Sequence, residues 1–378
     1  MAANLAICMI VRDEAASLPR CLQSLAGLEA RLYITDTGST DNTRDIALAH
    51  RAVLREFPWG DDFSAARNHA IADVAEDWIL NLDADDSFPP GEAAKILQFL
   101  GDASKVAYFL NYEVEEKASP ALGLKLFRNH LGIRFSGIIH EYLRDSLNRF
   151  PADAIGRIPV LLQHSGYHPS QAARKLRRNV PLLQKEWRRC ESGGHREQLL
   201  YVGKKMAEAA LASNDPAEAK RILLGLLESM LDRVERHDSD WHVTLLTHLV
   251  SHYHDTSEEA EALACCLRFE PVFGRHPLFL LYRGITQARL ARFEEALTDL
   301  EAFDQFVRSG KLDLAVPKAL LGPELWNYQG VCHAALNRHR AAAAFFSKAV
   351  AAAPENHEYQ VRLKLSLLSQ PNGKDLAA

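Results

Sequence analysis

What the chain lacks narrows it first. No uninterrupted apolar stretch reaches the roughly 18 residues that spanning a bilayer requires, and no charged leader precedes a short apolar run. A cytoplasmic protein without a transmembrane segment is expected. Cysteine is scarce, 6 in 378 residues, none paired as CxxC, with Cys265 and Cys266 adjacent. That spacing speaks against a zinc site and a disulfide framework, and reduced, buried thiols are expected. Neither sign of charge dominates: 44 Lys and Arg against 49 Asp and Glu leave −5, which gives no general attraction to nucleic acid or anionic lipid. A glycine- and lysine-rich phosphate loop after the first strand is also absent, which argues against nucleotidyl transfer. What is present is an ordinary globular composition, 47% hydrophobic and 25% charged, over a length that accommodates two or three domains.

The stretch around which the chain is organised is Trp78-Ile79-Leu80-Asn81-Leu82-Asp83-Ala84-Asp85-Asp86. An apolar run that reads as a buried strand ends in a group of carboxylates, and ligands of open α/β sheets bind at the carboxyl ends of strands. In an extended chain Asp83 and Asp85 face one side, with Ala84 keeping the backbone uncrowded. Like charges so placed repel, and a hard divalent cation, Mn²⁺ or Mg²⁺, relieves the repulsion while bridging to a phosphate. The plainer reading has Asp85, Asp86 and Ser87 capping a helix begun by Pro89-Pro90-Gly91-Glu92.

The preceding segments repeat the pattern. Leu5 to Val11 reads as a strand followed by Arg12-Asp13-Glu14 and a helix through Leu18, Cys21, Leu22 and Leu25. Arg31 to Thr35 is a strand ending in Asp36-Thr37-Gly38-Ser39-Thr40-Asp41, then a helix over 42–49. A third strand over 52–57, a third helix over 63–74 capped by Asp61 or Asp62, and a fourth strand over 77–82 complete an alternation that predicts a parallel sheet with right-handed crossovers. Glu14, Asp36 and Asp83 should then converge on one rim. After Pro89 come a helix over 91–100 and two strand-like runs, 106–115 and 122–128, joined by Lys117-Ala118-Ser119-Pro120. The sheet should become mixed at that edge.

Four blocks in this order, "LAICMIVRDEAASLPRCLQSL", "ITDTGSTDNT", "FPWGDDFSAARNHA" and "WILNLDADD", resemble the catalytic domain of inverting family 2 glycosyltransferases with the GT-A fold. More narrowly, they resemble soluble members that carry a tetratricopeptide tail. The resemblance covers roughly residues 4 to 168 and implies that Glu14 and Asp36 hold the nucleotide's base and ribose. Arg67, Asn68, Asp83 and Ala84 join them in binding the nucleotide sugar. It places Asp85 on the metal and His164, at the end of a strand over 158–163, as a further metal ligand; an imidazole suits Mn²⁺ better than Mg²⁺. Where the family usually carries Glu-Asp, this chain has His140-Glu141, and the departure is resolved by assigning the general base to Glu141, with His140 beside it. The donor implied is a nucleoside-diphosphate sugar, UDP-linked, and the acceptor a protein, peptide or cell-envelope glycan. No Gln-x-x-Arg-Trp segment of processive polysaccharide synthases is present, which favours transfer of single residues.

Residues 169–196 form a basic helical stretch interrupted by Pro181 and read as a linker between a catalytic domain, 1–168, and a helical domain, 197–378. In the latter, Trp326, Gly330, Ala342, Phe346, Ala349 and Pro354 fall at the spacings of a tetratricopeptide repeat. Gly284 and Ala296 repeat the separation of Gly330 and Ala342; Ala207 and Ala219 do so more weakly. The region 248–269 reads as a degenerate repeat, and 310–323 as an inserted loop or lengthened helix. Such an array binds a peptide or partner, or joins two copies of the chain. The competing functional class is a non-catalytic tetratricopeptide scaffold whose front domain has lost activity.

Overall fold

The computed structural model describes residues 4–113, 121–164, 169–231, 240–309 and 318–370, which fall into two compact units divided between His195 and Arg196. In the first unit, β1 (Leu5–Val11), β2 (Arg31–Asp36), β3 (Val53–Glu56), β4 (Trp78–Leu82), β5 (Asp86–Ser87), β6 (Ala107–Glu113), β7 (Ala121–Arg128) and β8 (Ile155–His164) form one eight-stranded sheet. Its order is β3-β2-β1-β4-β7-β6-β8-β5. The first four strands of that order are parallel, and β7 then pairs antiparallel with both β4 and β6, so the sheet is mixed at this edge. The turn expected at 117–120 and residues 310–317 of the insertion expected over 310–323 lie outside the described residues; Lys318–Leu321 form a short 3₁₀ helix.

Alternation along β1 divides the core. Leu5, Ile7, Met9 and Val11 enter one cluster together with Leu18, Cys21 and Leu22 of α1 (Leu18–Ser24) and Ala47 of α2 (Thr43–Ala49). Ala6 and Cys8 enter the cluster on the other face, the side from which α3 (Phe63–Ala70) reaches β4. Covered on both faces, the strands read in sequence as apolar runs rather than as alternating patterns. Asp62 caps α3 by accepting the Ala65 N–H at 2.9 Å.

Two local expectations change. The helix expected over 91–100 is a 3₁₀ helix, Ala93–Phe99. A short helix, α4 (Arg144–Leu147), precedes β8, and α5 (Pro169–Gly193) runs unbroken through Pro181 and belongs to the first unit. A helical proline removes one backbone hydrogen bond, and here Leu182, Leu183, Glu186 and Cys190 are buried on the far side, so packing outweighs that loss.

The second unit is all helix: α6 (Arg196–Ala212), α7 (Pro216–Leu231), α8 (Asp240–Asp255), α9 (Glu259–Phe273), α10 (Pro277–Arg289), α11 (Phe293–Arg308), α12 (Pro323–Ala335), α13 (His339–Ala352) and α14 (His357–Leu368). The turns within the pairs α6/α7, α8/α9, α10/α11 and α12/α13 each place one residue at positive φ: Asn214, Ser257, Ala291 and Asn337. Relative to these turns Ala219, Ala262, Ala296 and Ala342 are equivalent and buried, as are Ala207, Val250, Gly284 and Gly330 on the preceding helices. The segment that looked degenerate in sequence is therefore a full repeat in which Val250 replaces the small residue. At Gly330 closeness decides the residue type, because a Cβ there would lie 2.7 Å from the Phe346 ring.

A pH dependence follows from this unit. His254 lies with Nε2 2.9 Å from Thr286 Oγ1, and burial, reinforced by the Arg289 charge, pushes its pKa down from 6.5 to about 4. The unfolded chain thus takes up a proton that the folded array refuses. Stability from this group is complete above pH 6.5 and is lost as pH falls toward 4, an effect reduced by solvent screening because the ring is only partly buried. Protection factors of α8 and α10 amides, which remove the intrinsic pH dependence of exchange, should fall between pH 7 and 5, and His254→Gln should lessen that fall; an unchanged profile would contradict the assignment.

Candidate active site

The parallel register sets the site. Val11 of β1 lies beside Asp36 of β2, and Met9 beside Leu82 of β4, so the three strands end on one edge and deliver Glu14, Asp36 and Asp83 to it. Beyond Leu82 the chain does not continue as an extended strand. Asp86 N–H bonds Asp83 C=O at 3.0 Å while Asp83 N–H donates to Asp86 Oδ2 at 2.9 Å, closing a turn. The positions of Asp83 and Asp85 are therefore set by this turn and not by strand alternation, which corrects the basis of the expectation drawn from strand periodicity. The turn leads into β5, where Asp86 pairs across the antiparallel ladder with His164 of β8. Backbone pairing thus brings the acidic turn and the histidine together.

Arg67 of α3 is the buried centre of the cluster. Its Nη2 donates to Asp83 Oδ1 at 2.5 Å, Nη1 to Asn81 Oδ1 at 2.9 Å, and Nε to Glu141 Oε1. Lys125 of β7, its side chain 12% exposed, donates to Asp83 Oδ2 at 3.0 Å and to Asp86 Oδ2 at 3.3 Å. Burial alone would raise the Asp83 carboxyl, yet these two cations hold it well below the usual carboxylate range. Asp85 differs. Burial and the charges of Asp83 and Asp86 push its pKa up, against His164 Nδ1 at 3.4 Å and Lys175 Nζ at 3.9 Å. With His164 and Lys175 beside it, Asp85 is still held above the usual carboxylate range. One ligand atom each from Asp85, Asp86 and His164 lies within 4.8 Å of the others, a mixed oxygen and nitrogen set that fits a divalent cation of the Mn²⁺ type.

Glu141 is delivered by α3 as well. Phe63 N–H donates to Ile138 C=O at 2.9 Å, Ser64 Oγ to Gly137 C=O at 2.5 Å, and on the other side Glu186 of α5 accepts the Ile138 N–H at 3.0 Å. The segment ahead of Glu141 is thereby pinned from two elements. Oε1 of Glu141 is occupied by Arg67, and Oε2 has no protein partner among the described residues.

Other expected residues are placed less directly. Glu14 is half-buried, its carboxylate accepting from Ser17, and burial with the nearby Asp85 and Asp83 charges raises its pKa. Asp36 is buried and accepts from Gly38 N–H and Ser39 N–H, each at 3.1 Å. Arg67, expected to meet the base or phosphate, has one N–H of each of its three nitrogens taken by protein acceptors, Glu141, Asn81 and Asp83. Asn68 is not brought to the rim: its amide donates to Phe135 C=O and accepts Phe135 N–H, both at 2.9 Å, which fixes the segment leading to Glu141. The Ala84 side chain packs in the core. Sequence reading missed Lys125, which stands in an unremarkable strand, and gave Asp86 only a capping role although it was in view.

Arg67→Met would leave Asp83 and Glu141 beside each other without their shared cation. Loss of one partner of a buried pair costs about 3–5 kcal/mol. The lower end is expected because 32% of the Asp83 side chain meets solvent. Urea denaturation should read that loss, and a change under about 1 kcal/mol would place the pair among surface bridges.

Residues 6–154 match the family model described as Glycosyl transferase family 2. A "TPR repeat-containing protein" of Synechococcus elongatus is 44% identical over 147 residues, covering 38% of this chain and 36% of that protein. The SPbeta prophage-derived glycosyltransferase SunS of Bacillus subtilis is 27% identical over 192 residues, covering 47% of this chain and 43% of that protein. The chain thus spans well under half the length of these curated relatives. Among solved structures, glucosyl-3-phosphoglycerate synthase from Mycobacterium tuberculosis in complex with phosphoglyceric acid is 16% identical, with a TM-score of 0.38 over 49% of this chain and 80% of that one.

Proposed function

With a family 2 glycosyltransferase domain of GT-A type at its front and a tetratricopeptide-like array behind it, we propose that the chain transfers a sugar from a UDP-linked donor to a protein, peptide or glycan acceptor, with the help of a divalent cation. The observation that carries this reading is the gathering of Glu14, Asp36, Asp83, Asp85 and Asp86 at the ends of three adjacent parallel strands, with His164 beside Asp85 and Asp86. A cation held by Asp85 and His164 would supply the charge that neutralises the departing diphosphate. Glu14 and Asp36 accept hydrogen bonds from the nucleoside, as carboxylates do from ribose hydroxyls or a base N–H. Glu141 takes the acceptor's proton on Oε2 while Arg67 grips Oε1, and attack from the side opposite the diphosphate inverts the anomeric centre in one displacement. Because Arg67 holds Glu141 and Asp83 together, the proton acceptor is fixed relative to the donor site.

One observation favours a scaffold instead: both Asp83 oxygens are engaged by protein cations, as in a packing site. Thermal-shift screening separates the readings. A nucleotide binding only the folded state at about 100 times its Kd adds about 2.7 kcal/mol. UDP with Mn²⁺ should raise the melting temperature well above either alone. No stabilisation by any nucleoside diphosphate with either cation would leave the scaffold.

A further inference from the structure

Within the transferase reading above, on which this rests, we infer that Glu186 of α5 is a positioning residue for the general base: its carboxylate holds the loop that carries Glu141, and the transfer rate depends on its reach to that loop. The loop is closed by a pair of backbone bonds, Ser136 N–H to Tyr142 C=O at 2.9 Å and Tyr142 N–H to Ser136 C=O at 3.0 Å. Between them the chain turns through Gly137 at φ +94° and His140 at φ +55°. Too tight for regular structure, residues 137–141 depend on contacts from outside to fix Glu141. On one side α3 supplies them, with Phe63 N–H and Ser64 Oγ on the carbonyls of Ile138 and Gly137 and Arg67 on the Glu141 carboxylate itself. Glu186 supplies the other side, where its Oε2 accepts the Ile138 N–H at 3.0 Å.

A carboxylate in this place needs a reason. The Glu186 side chain is 0% exposed, on a helix face otherwise occupied by Leu182, Leu183 and Cys190, where an apolar residue would pack without the cost of burying a charge. Burial would raise its pKa, but Arg189, donating from Nε at 2.8 Å and from Nη2 at 2.7 Å, and the Ile138 N–H hold it below the ordinary value, so the ionised form grips the loop. Arg189 and Cys190 belong to α5 itself. Among the described residues the Ile138 N–H is the hydrogen-bond partner that Glu186 has on another element. The contact is close as well as polar: a Cβ on Gly137 would lie 3.3 Å from Glu186 Oε1 and 3.2 Å from the Tyr142 ring. The stretch that reads in sequence as a linker thereby becomes part of the catalytic unit.

Two conservative variants separate reach from charge. Glu186→Asp keeps the charge for Arg189 but draws the carboxylate back from Ile138 by one methylene, whereas Glu186→Gln keeps the reach, with an amide oxygen for the Ile138 N–H, and gives up the charge. The assay is release of UDP from UDP-glucose, or from another UDP-sugar that the wild-type chain cleaves faster, by the full chain in Mn²⁺ with water as acceptor, alongside UDP affinity by calorimetry and thermal melting. Glu186→Asp should lower kcat by about 10²-fold, as a misplacement of about 1 Å costs, with UDP affinity unchanged. Glu186→Gln should keep kcat within about threefold of wild type although it melts lower, because Arg189 has lost its charged partner. In a Glu141→Gln background Glu186→Asp should cost nothing further, because its effect is exerted through the missing base. Wild-type kcat in Glu186→Asp, a Glu186→Gln variant equally slow, a loss of UDP affinity as large as the loss of kcat, or an additive loss in the double variant would overturn the inference. Should Glu186→Asp not melt cooperatively, Gly137→Ala presses on the same contact from the loop side and should lower kcat with UDP affinity kept; an unchanged kcat there overturns it as well. If the wild-type chain cleaves no nucleotide sugar, the transferase reading fails and takes this inference with it; cleavage by wild type followed by any contrary result removes the inference alone.

Discussion

Asp85→Ala abolishes cation-dependent binding of the nucleoside diphosphate and leaves the fold standing. Both halves follow from charge. Asp83 and Asp86 are balanced by Arg67 and Lys125, so the acid with most to gain from an added cation is Asp85, which is pushed upward by burial and by its acidic neighbours. Removing a carboxylate from a repelling group relieves strain, and the melting temperature should be unchanged or slightly raised. The loss of UDP affinity in Mn²⁺ should exceed the roughly 10–100-fold that removal of a supporting group costs, and UDP affinity in EDTA should not change. Calorimetry with and without Mn²⁺ reads both. Undiminished Mn²⁺-dependent affinity would show that the cation site lies elsewhere.

Glu141→Gln should separate binding from turnover. The amide keeps the shape and one oxygen for the Arg67 Nε–H, and Arg67 remains paired with Asp83, so the segment from Phe135 onward should hold its place. What the amide cannot do is accept the acceptor's proton, and such assistance is worth about 10²–10⁴-fold. The fall belongs in kcat, with donor affinity nearly normal, because the role proposed for Glu141 lies at the acceptor. A variant with the original kcat would move the base to another group, and His140, held at φ +55° beside it, is next in line. Glu141→Ala should cost more in stability than Gln does, since it strips Arg67 of an acceptor.

Much of this architecture was legible because strand ends and turn residues leave local marks. The parallel half of the sheet, its rim of acids and the mixed edge were all readable from apolar runs followed by carboxylates, and Asp62 announced its helix. The acidic turn was misread because side-chain alternation holds only while a strand continues, and here a hydrogen bond from Asp83 N–H to its neighbour's carboxylate ends it. Lys125 and Asn68 could not be placed from sequence, for their roles depend on partners 42 and 67 residues away in the chain. In the helical unit, Val250 at a position that elsewhere holds Gly or Ala hid one repeat, although Ala262 kept the register.

The central claim is that this rim binds a nucleotide sugar and cleaves it with the help of a cation. Its most direct test is release of UDP from UDP-sugars by the full wild-type chain, followed by chromatography with Mn²⁺ and then with EDTA. The account requires UDP to appear with Mn²⁺, slowly by hydrolysis and faster once an acceptor is present, and to stop when EDTA is added. Release that continues undiminished in EDTA, or none from any UDP-, GDP- or dTDP-linked sugar in Mn²⁺, would contradict it.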